Sequence, residues 1–223
     1  MKRFKGERKM PSGTVIGMTI FGLLVVGALC LAIYQGAQQR RQLEAFSARH
    51  GWPVSPDPGE RLSALLDQMD PKSRWNPRNV LTIQTPPGGF YFFSYQRTAV
   101  GGRSSPSNGH ACLFELPGRR FDGTVEIFNR VPGIEKLYGG RQQVGSEEFR
   151  RAFTVTAEGG ANAEMVVNPD VERVMLSHAE GPGWVVNVTI ASGGVLVSSF
   201  WAQSEQEWDY LIDFSRRLKG AIN

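Results

Sequence analysis

His110 and Cys112 are the pair of side chains in this sequence whose types and spacing come nearest to a reactive centre. Two positions apart on an extended strand, they point to the same face, where an imidazole and a thiol could begin a metal site or a Cys/His dyad. Neither chemistry is complete in the sequence, because His50 and His178 lie far away and no further ligand stands at a recognisable spacing. The plainer reading is a half-buried histidine beside a buried free thiol. A second candidate is the knot Glu147-Glu148-Phe149-Arg150-Arg151, since paired carboxylates do acid/base chemistry when one is buried and its pKa raised. A strand over 149–157 would send the two carboxylates to opposite faces, so they could not converge on a substrate. That leaves ion pairing in solvent as the expectation. The five tryptophans, Trp52, Trp75, Trp184, Trp201 and Trp208, could line an aromatic cleft or each lock a helix against a sheet.

Recognised enzyme motifs are missing: no G-x-S-x-G elbow, no phosphate loop, no H-E-x-x-H and no paired C-x-x-C. No catalytic residue, cofactor or metal is therefore assigned. Charge removes another class. The chain carries 25 Lys+Arg and 21 Asp+Glu, and Lys2, Arg3, Lys5, Arg8 and Lys9 against Glu7 leave 25 − 5 = 20 basic and 21 − 1 = 20 acidic residues beyond them. The folded part is neutral, so the basic pI is no nucleic-acid footprint.

The elements that would position any site begin with residues 14–34, which carry no charge and follow the basic tail 1–13. A helix of that length spans about 30 Å, enough to cross a bilayer once. A cleaved signal is disfavoured by the length of the run and by the bulky Ile33 and Tyr34 where small residues would be needed. Leu29 before Cys30 likewise disfavours a lipoprotein signal. The basic tail then sits against anionic headgroups near Lys2, Arg3, Lys5, Arg8 and Lys9. Arg40, Arg41 and Arg49 follow the helix, so the charge rule leans to a cytoplasmic N-terminus and an extracytoplasmic domain at the plasma membrane. Cys112 is the only cysteine beyond the run and selects no redox compartment. The triplet Asn187-Val188-Thr189 carries no weight as a glycosylation signal.

Residues 35–50 read as a helical stalk with Leu43 and Phe46 on one face, broken by the three prolines of 51–59. Residues 51–223 read as one α+β domain, a mostly antiparallel sheet packed by two or three helices. The first helix is placed at 60–69 by Leu62, Leu65, Leu66 and Met69. Strands are placed at 80–84, 90–97, 110–115 and 124–128 as a meander, with further strands at 149–157, 184–190 and 194–201. Asn168-Pro169-Asp170 starts a second helix, and the capping box Ser204-x-x-Glu207 starts a third that runs to about Lys219. The glycine- and serine-rich 101–109 makes a long turn, and Arg103, Ser104, Ser105 and Asn108 with the neighbouring His110 form its candidate contact surface.

Phe46-Ser47-Ala48-Arg49-His50-Gly51-Trp52 after a membrane helix, the aromatic run 90–95, and Ser146-Glu147-Glu148-Phe149 leading to Asn168-Pro169-Asp170-Val171 carry a resemblance. The chain resembles a family of uncharacterised, single-pass, membrane-anchored bacterial proteins common in actinobacteria, over most of 40–218. That resemblance implies a membrane-tethered α+β domain and brings no activity or site residue with it. In this family the basic cluster often follows the membrane helix, whereas here basic residues also precede it, so topology is not carried over. The functional expectation is a membrane-anchored, non-enzymatic interaction or accessory module with an unknown protein partner. The alternative is an enzyme or small-ligand-binding domain with a pocket near His110.

Overall fold

The structure is a computed structural model that describes residues 12–85, 88–100, 106–119, 121–130, 140–179, 186–200 and 202–222. The chain divides into two compact units, Met1–Ala45 and Phe46–Asn223. Helix α1 (Ser12–His50) runs without a break through the apolar run. Among the described residues no helix is long and apolar enough to cross a membrane; the side chains of residues 14–16, 22, 28–29 and 31–33 lie outside that set.

The folded unit is an α+β domain built on one antiparallel sheet. Its strands are β1 (Val54–Ser55), β2 (Ser73–Gln84), β3 (Phe90–Ala99), β4 (Ser107–Glu115), β5 (Thr124–Asn129), β6 (Arg141–Gln142), β7 (Phe153–Glu158), β8 (Val186–Ala191) and β9 (Gly194–Ser199). Across the sheet they run β1-β2-β3-β4-β9-β8-β5-β7-β6. The expected four-strand meander is corrected here, because the late hairpin β8–β9 enters between β4 and β5. The physical reason lies in the hairpin itself. Every residue of β9 is buried and β8 is buried at all but one position, and strands buried on both faces belong at the centre of a sheet.

Helix α2 (Gly59–Met69) covers one face, where Leu62, Leu66 and Met69 pack with Tyr91, Phe93, Leu113 and Leu196. Helices α3 (Glu147–Ala152), α4 (Pro169–Ala179) and α5 (Glu205–Ile222) lie on the other side, with α5 against β4 and β9. Trp208 on α5 lies 6.0 Å from Phe92 of β3, ring to ring. The sequence signals for these two long helices act as their spacing requires. Asn168 Oδ1 accepts from the amides of Asp170 and Val171 at 2.9 Å each, and Ser204 and Glu207 cap each other's amides.

The strand expected at 149–157 begins only at Phe153, and α3 stands before it. Ser146 Oγ accepts from the Phe149 amide, two acids occupy the first turn and two arginines the last, so cap and dipole together hold one helical turn and a half. Strand β2 begins at Ser73, well before the expected residue 80. Pro77 is accommodated because β1 pairs only with Val80 and Leu81, so among the described residues no strand on the outer edge of 73–78 needs its amide.

Within β2 the register shifts between Arg78 and Leu81, where Ser94 and Phe92 are the partners, so one extra residue bulges out. Asn79 takes a positive φ of 53° there, and the bulge turns Val80 to the α2 face and Leu81 to the α5 face. Asn tolerates this conformation and a β-branched residue does not. Asn79→Val is expected to destabilise the domain by about 1–3 kcal/mol, and Asn79→Gly by much less, in urea unfolding.

Candidate functional site

The region singled out around His110 is assembled from β3, β4, α5 and the end of α1. In β4, His110 pairs with Ser94 of β3 and Ser199 of β9, and its ring stacks on Phe92 at 5.5 Å with 7° between planes. Trp208 closes the box at 5.2 Å from the imidazole. Phe46, fully buried, touches both Trp208 at 5.5 Å and Phe92 at 6.3 Å. Trp52 stacks on His50 at 4.3 Å beyond it, and Arg216 lies over the Trp52 ring at 5.5 Å from its centre. The Trp52 amide donates to the Ser47 carbonyl at 3.1 Å, closing the end of α1 after Gly51 takes a positive φ of 67°.

This box disfavours a charge. Burial pushes the His110 imidazole down to about 4, outweighing the Ala202 carbonyl and the Glu207 carboxylate that favour the cation. Its Nδ1 is buried with no hydrogen-bond partner among the described residues. Cys112 shares the same sheet face, as the spacing required, but is wholly buried under α5, with Sγ 3.9 Å from the Leu211 carbonyl. Burial pushes this thiol up to about 12. Burial therefore disfavours both the imidazolium and the thiolate, the charged forms of a Cys/His ion pair. No cluster of metal-ligating side chains exists among the described residues.

Of the contact residues proposed from sequence, Arg103, Ser104 and Ser105 lie outside the described residues. The loop of 101–109 is shorter than expected, because β4 begins at Ser107 and pairs through Arg97. Asn108 is exposed on β4 opposite Gln96, and His110, two residues on and on the same sheet face, stacks in the aromatic box. Gly109 is a strand residue rather than part of a turn. A Cβ on it would lie 2.3 Å from the Ser199 carbonyl, so only glycine lets β4 and β9 approach there. Among the described tryptophans, Trp52 and Trp208 flank Phe46 and Trp75 packs on Tyr95; Trp184 and Trp201 lie outside the described residues. The Glu147–Glu148 pair sits on α3, not on a strand; Glu147 pairs with Arg151 one turn on, in solvent.

A second concentration of polar groups, not apparent from sequence spacing, lies on the α2 face where that helix ends. Here a cavity of about 200 Å³ is lined by Asp70, Lys72, Arg97, Glu126 and Glu158 among others. Asp70, almost fully buried, pairs with Arg97 Nη2 at 2.8 Å and accepts from Trp75 Nε1 at 3.1 Å. Arg97 Nε donates to Ser73 Oγ at 2.9 Å, and the guanidinium lies over the Trp75 ring. Lys72 pairs with Glu158. Glu126 stands between these pairs, its carboxyl raised above the usual range first by burial and then by Asp70 and Glu158, against Arg97 and Lys72. The sequence signal was a period of two: Thr124 and Glu126 face Glu158 and Thr156 across β5 and β7. The network ties the C-terminus of α2 to β2 and β3, which is a structural task.

No family model matches the sequence, and no curated protein matches it. Among solved structures the chain is similar to the crystal structure of the mycobacterial trehalose monomycolate transport factor A, with a TM-score of 0.47 and 12% identity. That alignment covers 83% of this chain and 94% of the other. No residue role is taken from it.

Two outcomes follow from this geometry. Because the folded His110 has the lower pKa, its contribution to stability is complete above the unfolded value near 6.5 and is lost as pH falls toward about 4. A loss on the order of 2–3 kcal/mol is expected across that window, and His110→Phe, which cannot titrate, should flatten that part of a thermal-melting profile against pH. Asp70→Ala leaves Arg97 and the Trp75 indole without their acceptor and is expected to cost about 2–3 kcal/mol, with Asp70→Asn milder because it still accepts from the indole. Urea unfolding of the two variants checks the order.

Proposed function

We infer that this protein is a membrane-tethered, non-enzymatic accessory or interaction module, anchored by a single crossing of residues 14–34. The observation that carries the reading is the surface of α1. Met18, Phe21, Leu23 and Leu24 are 71%, 70%, 68% and 67% exposed, and Val26 is 57% exposed. Large apolar side chains point out from all sides of a helix that carries no charge from 14 to 34. In water such a surface is costly, at roughly 25 cal/mol per Å² of apolar area, and lipid removes that cost along the whole run. Basic residues at the N-terminal end suit headgroup contact, and their excess over Arg40, Arg41 and Arg49 supports an extracytoplasmic domain.

The non-enzymatic half of the reading is supported by the His110 box. Burial weakens His110 as a base and disfavours the Cys112 thiolate, and His110 lines neither the cavity near Arg61 nor that near Glu126. Phe46, at the start of the folded unit, is buried between Phe92 and Trp208.

Alkaline washing of membranes from expressing cells tests the anchor. The full chain is expected to stay with the membrane pellet, and a Leu24→Arg and Val25→Arg double variant to be released, since each central arginine costs about 2.5–3.5 kcal/mol on insertion. A wild-type chain recovered in the wash would sink the reading. Paired reporters fused after Asn223 should show activity only for the one that works outside the cytoplasm.

A further inference from the structure

Strands β2 and β3 carry no acidic residue over Ser73–Gln84 and Phe90–Ala99. On their α5 face the register sets Arg74 opposite Thr98, Asn76 opposite Gln96 and Arg78 opposite Ser94, with Asn108 of β4 beyond Gln96. Arg74, Asn76, Arg78 and Asn108 are exposed. Neither guanidinium has an ion-pair partner among the described residues, although most other described arginines of the domain pair with a carboxylate or sit over an aromatic ring. The same sheet face holds Phe92, and Phe46 at the root of α1 packs on it.

We propose that this open polar part of the sheet, centred on Arg74 and Arg78, is a docking surface for the anionic headgroups of the bilayer that anchors the chain. The proposal rests on the membrane-anchored reading and names the partner of the domain's exposed face. Charge complementarity selects the occupant: two free guanidiniums, each able to hold a phosphate by a two-pronged contact, on strands without a competing carboxylate. Tethering makes weak contacts sufficient, because it raises the effective concentration of headgroups at the domain. Asn76 and Gln96 add neutral donors between the arginines, and Pro77 takes one amide out of the outer edge, so side chains rather than strand pairing make the contact.

The test uses the full chain carrying Cys30→Ser and Asn76→Cys, labelled at residue 76 with an environment-sensitive fluorophore. Cys112 is fully buried and does not compete for the label. The chain is placed in nanodiscs of phosphatidylcholine alone, or with about a third phosphatidylglycerol, a composition that gives an anionic surface. Docking predicts a blue-shifted emission in the anionic discs, quenched by headgroup-labelled lipid and reversed at high salt. Each arginine near such a surface is worth about fivefold in partition, so Arg74→Glu with Arg78→Glu should abolish the shift. Both positions are exposed, and an unchanged melting temperature will show that the double variant is folded. Emission independent of lipid charge overturns the proposal and leaves the arginines as guards of an open sheet edge. Self-association that accounts for the shift in sedimentation also overturns it, in favour of a second copy of the chain. A chain that does not enter the discs at all overturns the anchor reading as well, so the two failures are distinct.

Discussion

Burial of both faces of the β8–β9 hairpin is the constraint from which the rest of this domain follows. A strand such as β9, buried at every position, needs a strand on each side and a helix layer above and below. Strands β4 and β8 supply the first requirement, and α2 and α5 supply the second. The chain satisfies it only by bringing its last hairpin into the middle of strands made much earlier. Long-range pairing of this sort is what makes the unit cooperative, because β4 cannot complete its ladder until β9 has been placed.

The two faces solve the packing problem differently. Beneath α5 the sheet is dry, with Phe92, Cys112, Val197 and Trp208 fully or almost fully buried, and the last turn of α1 enters this layer through Phe46. Burial holds a histidine caught in that layer toward its neutral form, against the Ala202 carbonyl and the Glu207 carboxylate. Past the end of α2 the other face turns polar, and its charges are held in pairs: Arg97 with Asp70, and Lys72 with Glu158. Glu126 between them bears the cost of burial as a raised pKa. Its ionised form is disfavoured in the fold, so its contribution to stability declines as pH rises, opposite in sign to that of His110.

Local chemistry was legible in the sequence. The uncharged run, the caps at Asn168 and Ser204, the period of Leu62, Leu66 and Met69, and the shared face of His110 and Cys112 all depend on neighbours within a turn or two, and each is found where the spacing puts it. Helix α3 was missed because six residues are too short for periodicity to outvote the β-rich stretch that follows, although Ser146 and the charge order announced it. The start of β2 was missed because Pro77 stops a strand unless its amide faces an open edge, which is a property of the whole sheet. The place of β8–β9 between β4 and β5, the neutrality of His110 and the meeting of Asp70, Arg97 and Glu126 were decided only by tertiary structure. Each depends on what lies opposite in space, and a pattern along the chain records what a residue is but not what will be packed against it.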